Sequence, residues 1–474
     1  MIYLYMTIYN VVGKTMQRVT FSKKTYNGGG HISAPPSKSY SHRLLFLALI
    51  AHQPITIGPL LAANDVENTL QVCKQLGVQI KNSSSKWKLY TPPKELISDE
   101  LIFNCGNSGT TVRFLIGLSL VISGKTHLTG DFFSRNRPVI PMLEAMKSIG
   151  TKYAIEKNGI AIETPTINNS KIKIPGHFSS QFISGLIYGI IGLMSRPEVR
   201  MKKKMNFDEF TIETSTPPVS FPYIELTHHI FEEFGVKLQF KRIENECLKV
   251  KIPMNQNTRL LRNSYEIPGD FSSIAPILCG HALFGAGEMR IMNLSEPRFQ
   301  ADSEIIDILG DFGVERVVDD CDIIFFPLAK NRGKSRDLSI NCIANPDLFP
   351  ILCVMGSYLP QITTLTNINH IRFKESDRVS EMVRILQGFG VNIEEKENSV
   401  VISGKSQIEL SSSHIFSDIK DHRVLMALLI FTVGVEFKSF TITIENVEYI
   451  EDSYPKFLQV LNYQNAKFDL EVIN

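Results

Sequence analysis

Polar turns and long apolar runs alternate along this chain. "PPSKSYSHR" leads into "LLFLALIA", "CGNSGTTVR" into "FLIGLSLV" and "PGHFSSQFI" into "SGLIYGIIGLM". The same change marks "PGDFSSIAP", "ANPDLFPIL" and "IKDHRVLMA". The runs are rich in good helix formers and nearly free of polar positions, which predicts buried helices rather than surface ones. Gly, Pro, Ser, Asn and Asp in the turns suit tight turns and helix N-caps.

A second pattern interleaves with the first. Five amphipathic segments end in a large apolar residue and a glycine before a strand-like run: "KQLGVQIK", "KSIGTKYAI", "EEFGVKLQF", "GDFGVERVV" and "QGFGVNIEE". Gly77, Gly150, Gly235, Gly313 and Gly390 therefore predict left-handed helix C-caps, each followed by a β-strand. Their spacing, roughly 75 to 85 residues, exceeds that of a solenoid repeat, so each period reads as a small α/β module. Together the patterns predict an α/β protein of six similar units, three to a domain, with the boundary near "YEIPGDFSS".

The first polar turn raises a question of charge. Lys38 and Arg43 head an apolar helix, where a cation opposes the macrodipole unless an anion binds there. Any one such turn is explained by capping alone. Six of them, each with a buried helix behind it, can pool backbone N–H groups and positive dipole ends into one anion site.

Composition narrows the function classes. Charged residues make up 21% of the 474 and nearly cancel, to a net +2, which argues against a nucleic-acid binder. Seven scattered cysteines with no C-x-x-C pair indicate neither a disulfide framework nor a zinc site, and fit a reducing cytoplasm. The apolar runs are too short for a membrane span, the longest near the C-terminus being "VLMALLIFTVGV". "MIYLYMTIYNVVGKT" reads as an N-terminal extension with Met16 an alternative start. It lacks the Arg- and Ser-richness of a transit peptide. "RMKKKM" at 200–205 reads as a solvated edge.

The turns carry more polar residues than capping needs. The first has Lys38, Ser39 and Arg43, the second Asn107, Thr110 and Arg113, and "GDFFSRNRP" adds Arg135 and Arg137. The third gives Ser179, Ser180 and Gln181; later come Asp347, then Lys374, Glu375 and Arg378 in "RFKESDR", and His422 with Arg423. Many cations with few acids suit a substrate bearing phosphate and carboxylate groups, which arginine binds bidentately, and chemistry with a few proton transfers.

In this order "PPSKSYSHR", "GNSGTTVR", "RNRPVIPMLEAMKSIG", "SSQFISGLIYG", "FPYIELT", "GDFSSIAPIL", "KESDRVSEM" and "DHRVLMAL" resemble the 3-phosphoshikimate 1-carboxyvinyltransferase (EPSP synthase) family, from about Gln17 to Leu461. The resemblance implies a two-domain inside-out α/β barrel, each domain of three βαβαββ units, with the substrate cleft between them. It implies a domain of residues 36–267 for the shikimate-phosphate half and a discontinuous one of 1–35 plus 268–474. The implied reaction adds the 5-hydroxyl of shikimate 3-phosphate to phosphoenolpyruvate and expels phosphate, without metal or organic cofactor, in a cytoplasmic monomer.

By motif match, Lys38, Ser39, Arg43, Ser179, Ser180, Gln181, Ser220, Tyr223, Asp347 and Lys374 are expected to hold shikimate 3-phosphate. Lys38, Asn107, Gly109, Arg137, Gln181, Arg378 and Arg423 are expected around phosphoenolpyruvate. Asp347 is the expected base toward the attacking hydroxyl, Glu375 the acid and base at the methylene, and Lys38 with Lys374 the stabilisers of developing charge. Two positive faces across an open cleft are expected to repel until an anion arrives. Three departures stand out: Asp452 before "SYP" where many members carry Lys, His370 where some have Asn, and Ala301 in "QAD". The rival readings are the sister enolpyruvyl transferase acting on a UDP-sugar and a non-catalytic ligand-binding member.

Overall fold

The computed structural model describes residues 15–473 apart from 52, 84–85, 91–95, 136, 164–165, 203–206, 257–260, 295–298, 320–321 and 329–335. Nearly all of the N-terminal extension, Cys321 and residues 203–205 of the 200–205 charge run lie outside the described residues.

The strands form six four-stranded sheets with one strand order. In one of them Lys171–Ile174 runs parallel to Glu209–Thr214, and Leu248–Pro253 lies antiparallel between that strand and Gln239–Arg242. Alternation along Leu248–Pro253 sends Leu248, Val250 and Ile252 inward. Each sheet keeps its own edges, so the strands do not close into a continuous barrel. "Inside-out" describes the arrangement better, because the helices are buried and the last strand of each sheet is largely exposed.

The predicted punctuation holds in detail. Gly77, Gly150, Gly235, Gly313 and Gly390 all have positive φ, from 72° to 104°. An edge strand follows each, for instance Gln79–Ser83 after Gly77 and Asn392–Lys396 after Gly390. The sixth unit uses Asn465, at φ 61°, ahead of Asp469–Ile473. Asparagine tolerates the left-handed region, so a search for glycine passes over this copy.

Six apolar helices are buried almost end to end: Lys38–Ile50, Gly109–Leu118, Ser180–Met194, Phe271–Phe284, Phe349–Tyr358 and His422–Val433. The second and third cross closely, because a Cβ on Gly117 would lie 1.9 Å from Gly185 O. Buried apolar residues gather into two cores, one from residues 40–267 and one from 19–34 plus 271–466.

Distant segments complete three sheets. Ser264–Glu266 joins Ile55–Gly58, Gly30–Ser33 joins Met289–Met292, and Met16–Phe21 lies between Ile442–Glu445 and Asp469–Ile473. The chain thus passes twice between the cores, and the two passages run side by side. Ser37 N–H donates to Pro268 O at 2.8 Å and Asp270 N–H to Pro35 O at 2.7 Å. Each passage leads directly into a buried helix.

Candidate active site

The six buried helices have no acidic residue in their first turns, which leaves their positive ends uncompensated. Ser108, Ser179, Asp270 and Asp421 cap their own helices. Ser37 does not; instead Asp270 Oδ2 accepts the Lys38 N–H at 2.8 Å, so one carboxylate serves both helices beside the passages. The first turns of four of the six, with Asp347 ahead of the Phe349 helix, meet at a cleft between the two cores.

One wall comes from the 40–267 core. Lys38, Ser39 and Arg43 line it from the first helix, Gly109 from the second and Ser179, Ser180 and Gln181 from the third. Arg43 is buried and its guanidinium is directed by Thr227 Oγ1 at 2.9 Å, Ser39 O at 3.1 Å and Tyr223 O at 2.9 Å. Gln181 is held by Arg113 Nη1 at 2.5 Å and by Thr110 Oγ1 at 3.0 Å. A Cβ on Gly109 would lie 2.6 Å from Arg137 Nη2 and would displace that guanidinium. Ser220 has φ 52° with its N–H on Ile343 O at 2.9 Å, and its hydroxyl is buried without a partner among the described residues. That is a strained backbone aiming a polar group at a cleft.

Asp347, Lys374, Glu375 and His422 form the facing wall. Behind it Arg378 is fully buried and meets three carboxylates: Asp421 at 2.8 Å from Nε, Asp347 at 2.7 Å from Nη1 and Glu375 at 2.7 Å from Nη2. Arg423 Nη2 lies 3.3 Å from Asp347, and Arg137 reaches across to Glu375 Oε1 at 3.0 Å. Charges therefore alternate from Arg137 through Glu375, Arg378 and Asp347 to Arg423. Burial alone pushes both acids up, but Arg378 and Arg423 outweigh it at Asp347, and Arg137 and Arg378 at Glu375. Both carboxyls are held well below the usual range. Burial lowers Lys374 to about 8 despite the pull of Asp347, and keeps His422 neutral with help from Lys38 and Arg423.

Thirteen of the sixteen expected site residues line this cleft; Asn107, Arg378 and Arg423 stand one layer behind it. Asp65 joins the wall as an addition, paired with Lys38 Nζ at 3.0 Å. From sequence it is an ordinary acid in the first turn of helix Asn64–Gln75, and only the fold brings it to Lys38. Asp452 is buried and accepts from Asn64 Nδ2 at 3.1 Å and Asn107 Nδ2 at 3.4 Å, a link between the cores rather than a missing contact. His370 lies instead on a second cleft with Phe373 and Ile343, where burial and Lys374 push it down to about 3. The expectation of two repelling positive faces fails, because Glu375 and Asp452 answer the cations and amides opposite.

Residues 24–461 match the family model described as EPSP synthase (3-phosphoshikimate 1-carboxyvinyltransferase). The chain belongs to the EPSP synthase family. It is 31% identical over 456 residues to the 3-phosphoshikimate 1-carboxyvinyltransferase of Methanococcus maripaludis strain C7, covering 95% of this chain and 99% of that one. The Korarchaeum cryptofilum protein of the same name is 32% identical over 439 residues, 91% and 95% of the two chains. A 2.37 Å structure of EPSP synthase from Acinetobacter baumannii superposes with a TM-score of 0.72 at 20% identity, over 96% of this chain and all of that one. The EPSP synthase fold, two domains with helices inside, is therefore this chain's fold. Among the described residues no helix is long and apolar enough to cross a membrane, and no three His, Cys, Asp or Glu are grouped to hold a metal ion.

Proposed function

We propose that this protein transfers the enolpyruvyl group of phosphoenolpyruvate to the 5-hydroxyl of shikimate 3-phosphate, releasing phosphate, in aromatic amino acid biosynthesis. It does so as a monomer in the cytoplasm, with domains of 36–267 and of 1–35 plus 268–474. The observation that carries the reading is the pair of ionised carboxylates, Asp347 and Glu375, held by one buried arginine and facing a wall of hydroxyls, amides and cations.

The hydroxyl-rich wall suits the acceptor. Ser179, Ser180, Ser220 and Tyr223 offer hydroxyl groups to phosphate and ring oxygens, with Ser39, Lys38 and Arg43 beside them. Asp347, ionised by its arginines, takes the proton of the attacking hydroxyl as the C–O bond forms at the central carbon of phosphoenolpyruvate. Arg137, Lys38 and Lys374 meet the donor's phosphate and carboxylate.

Glu375 is ionised while Arg137 and Arg378 both bind it. A donor anion that draws those guanidiniums toward itself raises the carboxyl's proton affinity. Glu375 can then carry the proton that goes to the methylene, and take one back as the intermediate expels phosphate. Arg378 and Arg423 act from behind the wall by fixing the two acids.

Phosphate release from phosphoenolpyruvate by the purified protein tests this. Release is expected with shikimate 3-phosphate and not without it. Release driven by a UDP-sugar makes the sister activity correct, and binding without release with either acceptor makes the chain a ligand-binding member.

A further inference from the structure

Asp302 stands behind the cleft and enters no step above. It lies in the 3-10 turn Ala301–Glu304 and is fully buried. Gln300 pins that turn to the Phe271 helix: its Nε2 donates to Gly269 O at 2.8 Å and its Oε1 accepts from Phe271 N–H at 3.3 Å. Two donors converge on a single carboxylate oxygen. Ser272 Oγ–H bonds to Oδ2, and the Tyr223 O–H reaches the same atom from the other core at 3.4 Å. Oδ1 is buried with no hydrogen-bond partner among the described residues.

An ionised carboxylate with one bare buried oxygen is costly, and protonation of the group removes the charge that makes it so. Asp270 faces the group from the cap of the Phe271 helix, Asp347 from the turn before the Phe349 helix and Arg423 from the His422 helix. On its own turn Glu304 accepts from Asn345 Nδ2 at 2.6 Å, and on the next helix Asp307 is exposed and paired with Arg316 at 2.8 Å. Burial first, then Asp347, push Asp302 up to about 7 against the pull of Ser272 and Arg423. Tyr223, by contrast, is pushed well up by burial and the nearby acids, and keeps its proton.

The single Tyr223 hydroxyl proton has two destinations. While Asp302 is ionised the phenol donates to it and shows the cleft only lone pairs. A protonated Asp302 carrying its proton on Oδ2 can itself donate to the phenol oxygen, which frees the phenol O–H to turn toward the cleft. Phosphate needs donors, and it is also repelled by a second nearby anion. We propose that Asp302 is a positioning residue for the acceptor, whose proton decides through Tyr223 whether that hydroxyl donates to the phosphorylated ligand. Binding of the acceptor therefore favours the protonated Asp302. The inference rests on reading this cleft as a shikimate 3-phosphate site.

Calorimetric affinity for shikimate 3-phosphate, followed between about pH 6 and 9, tests it. For the wild type the affinity is expected to fall as pH rises through Asp302's range, approaching about tenfold per pH unit. Asp302→Asn, a neutral isostere, is expected to lack that slope while keeping its KM for phosphoenolpyruvate. Tyr223→Phe is expected to bind more weakly at the acid end and to lose the slope as well; it decides the matter should Asp302→Asn fail to fold. A wild-type slope surviving in either variant overturns the proposal, as does a wild type that binds without any slope. A wild type that does not bind shikimate 3-phosphate overturns the reading of the cleft and this inference with it.

Discussion

The two walls of the cleft are built from different chemistry. The wall from the 40–267 core presents hydroxyls, an amide and several cations, with Lys38 answered by Asp65 and with Arg43 and Arg113 directed by backbone carbonyls and neutral side chains. The wall opposite presents two carboxylates that buried arginines hold ionised. What joins the walls is complementarity: Arg137 with Glu375, Asn64 and Asn107 with Asp452, Tyr223 with Asp302. An anion entering this cleft would therefore take over cations that already have acids to hold them. A buried ion pair adds little net stability, so these pairs fix the geometry of the cleft more than they hold the cores together.

The contrast is broken most severely by removing its acids. Asp347→Ala and Glu375→Gln are each expected to lower turnover by about 10²–10⁴-fold in a phosphate-release assay. Next is Arg378→Met, which leaves Asp421, Asp347 and Glu375 without their common cation. Urea unfolding is expected to show a loss of about 3–5 kcal/mol, and an unchanged midpoint would mean that the arginine is not the centre of that wall.

Smaller effects sharpen the picture. Lys374 loses its charge above about 8, so the rate is expected to decline on the alkaline side there. Lys374→Arg keeps the charge, and its decline is expected at higher pH; an identical profile would separate Lys374 from the limb. Asp452→Ala removes the acceptor for Asn64 and Asn107. It is expected to cost the closed form about 1 kcal/mol, seen in scattering as a weaker compaction when both substrates are added. Equal compaction in the variant would show that the link does not help to close the cleft.

Much of this arrangement was legible in the sequence because it is carried by local rules. Turn chemistry and apolar runs mark the six buried helices, and five glycines mark the ends of five of the six amphipathic helices that alternate with them. The sixth, at Asn465, hides because a different residue satisfies the same backbone angle. Eight of the thirteen lining site residues sit in those turns; Arg137, Lys374 and Glu375 stand in two further polar segments, and Ser220 and Tyr223 were expected only from the family resemblance. Asp65, Asp302 and the partners of Asp452 were not legible, since their neighbours lie 27 to 388 residues away: helix packing within one core brings Asp65 to Lys38, and packing of the two cores brings Tyr223 to Asp302 and Asn64 and Asn107 to Asp452. The sign of the interaction across the cleft was misread for the same reason. Cations cluster visibly in motifs, whereas which acid answers which cation, Asp65 at Lys38 and Glu375 at Arg137, is set by tertiary packing.

The division of labour between the walls is tested most directly by equilibrium binding of shikimate 3-phosphate to Glu375→Gln. With the acceptor held by the first wall, binding is expected to stay close to that of the wild type while turnover collapses. Loss of binding in parallel with turnover would contradict the account, because one wall would then be doing both tasks.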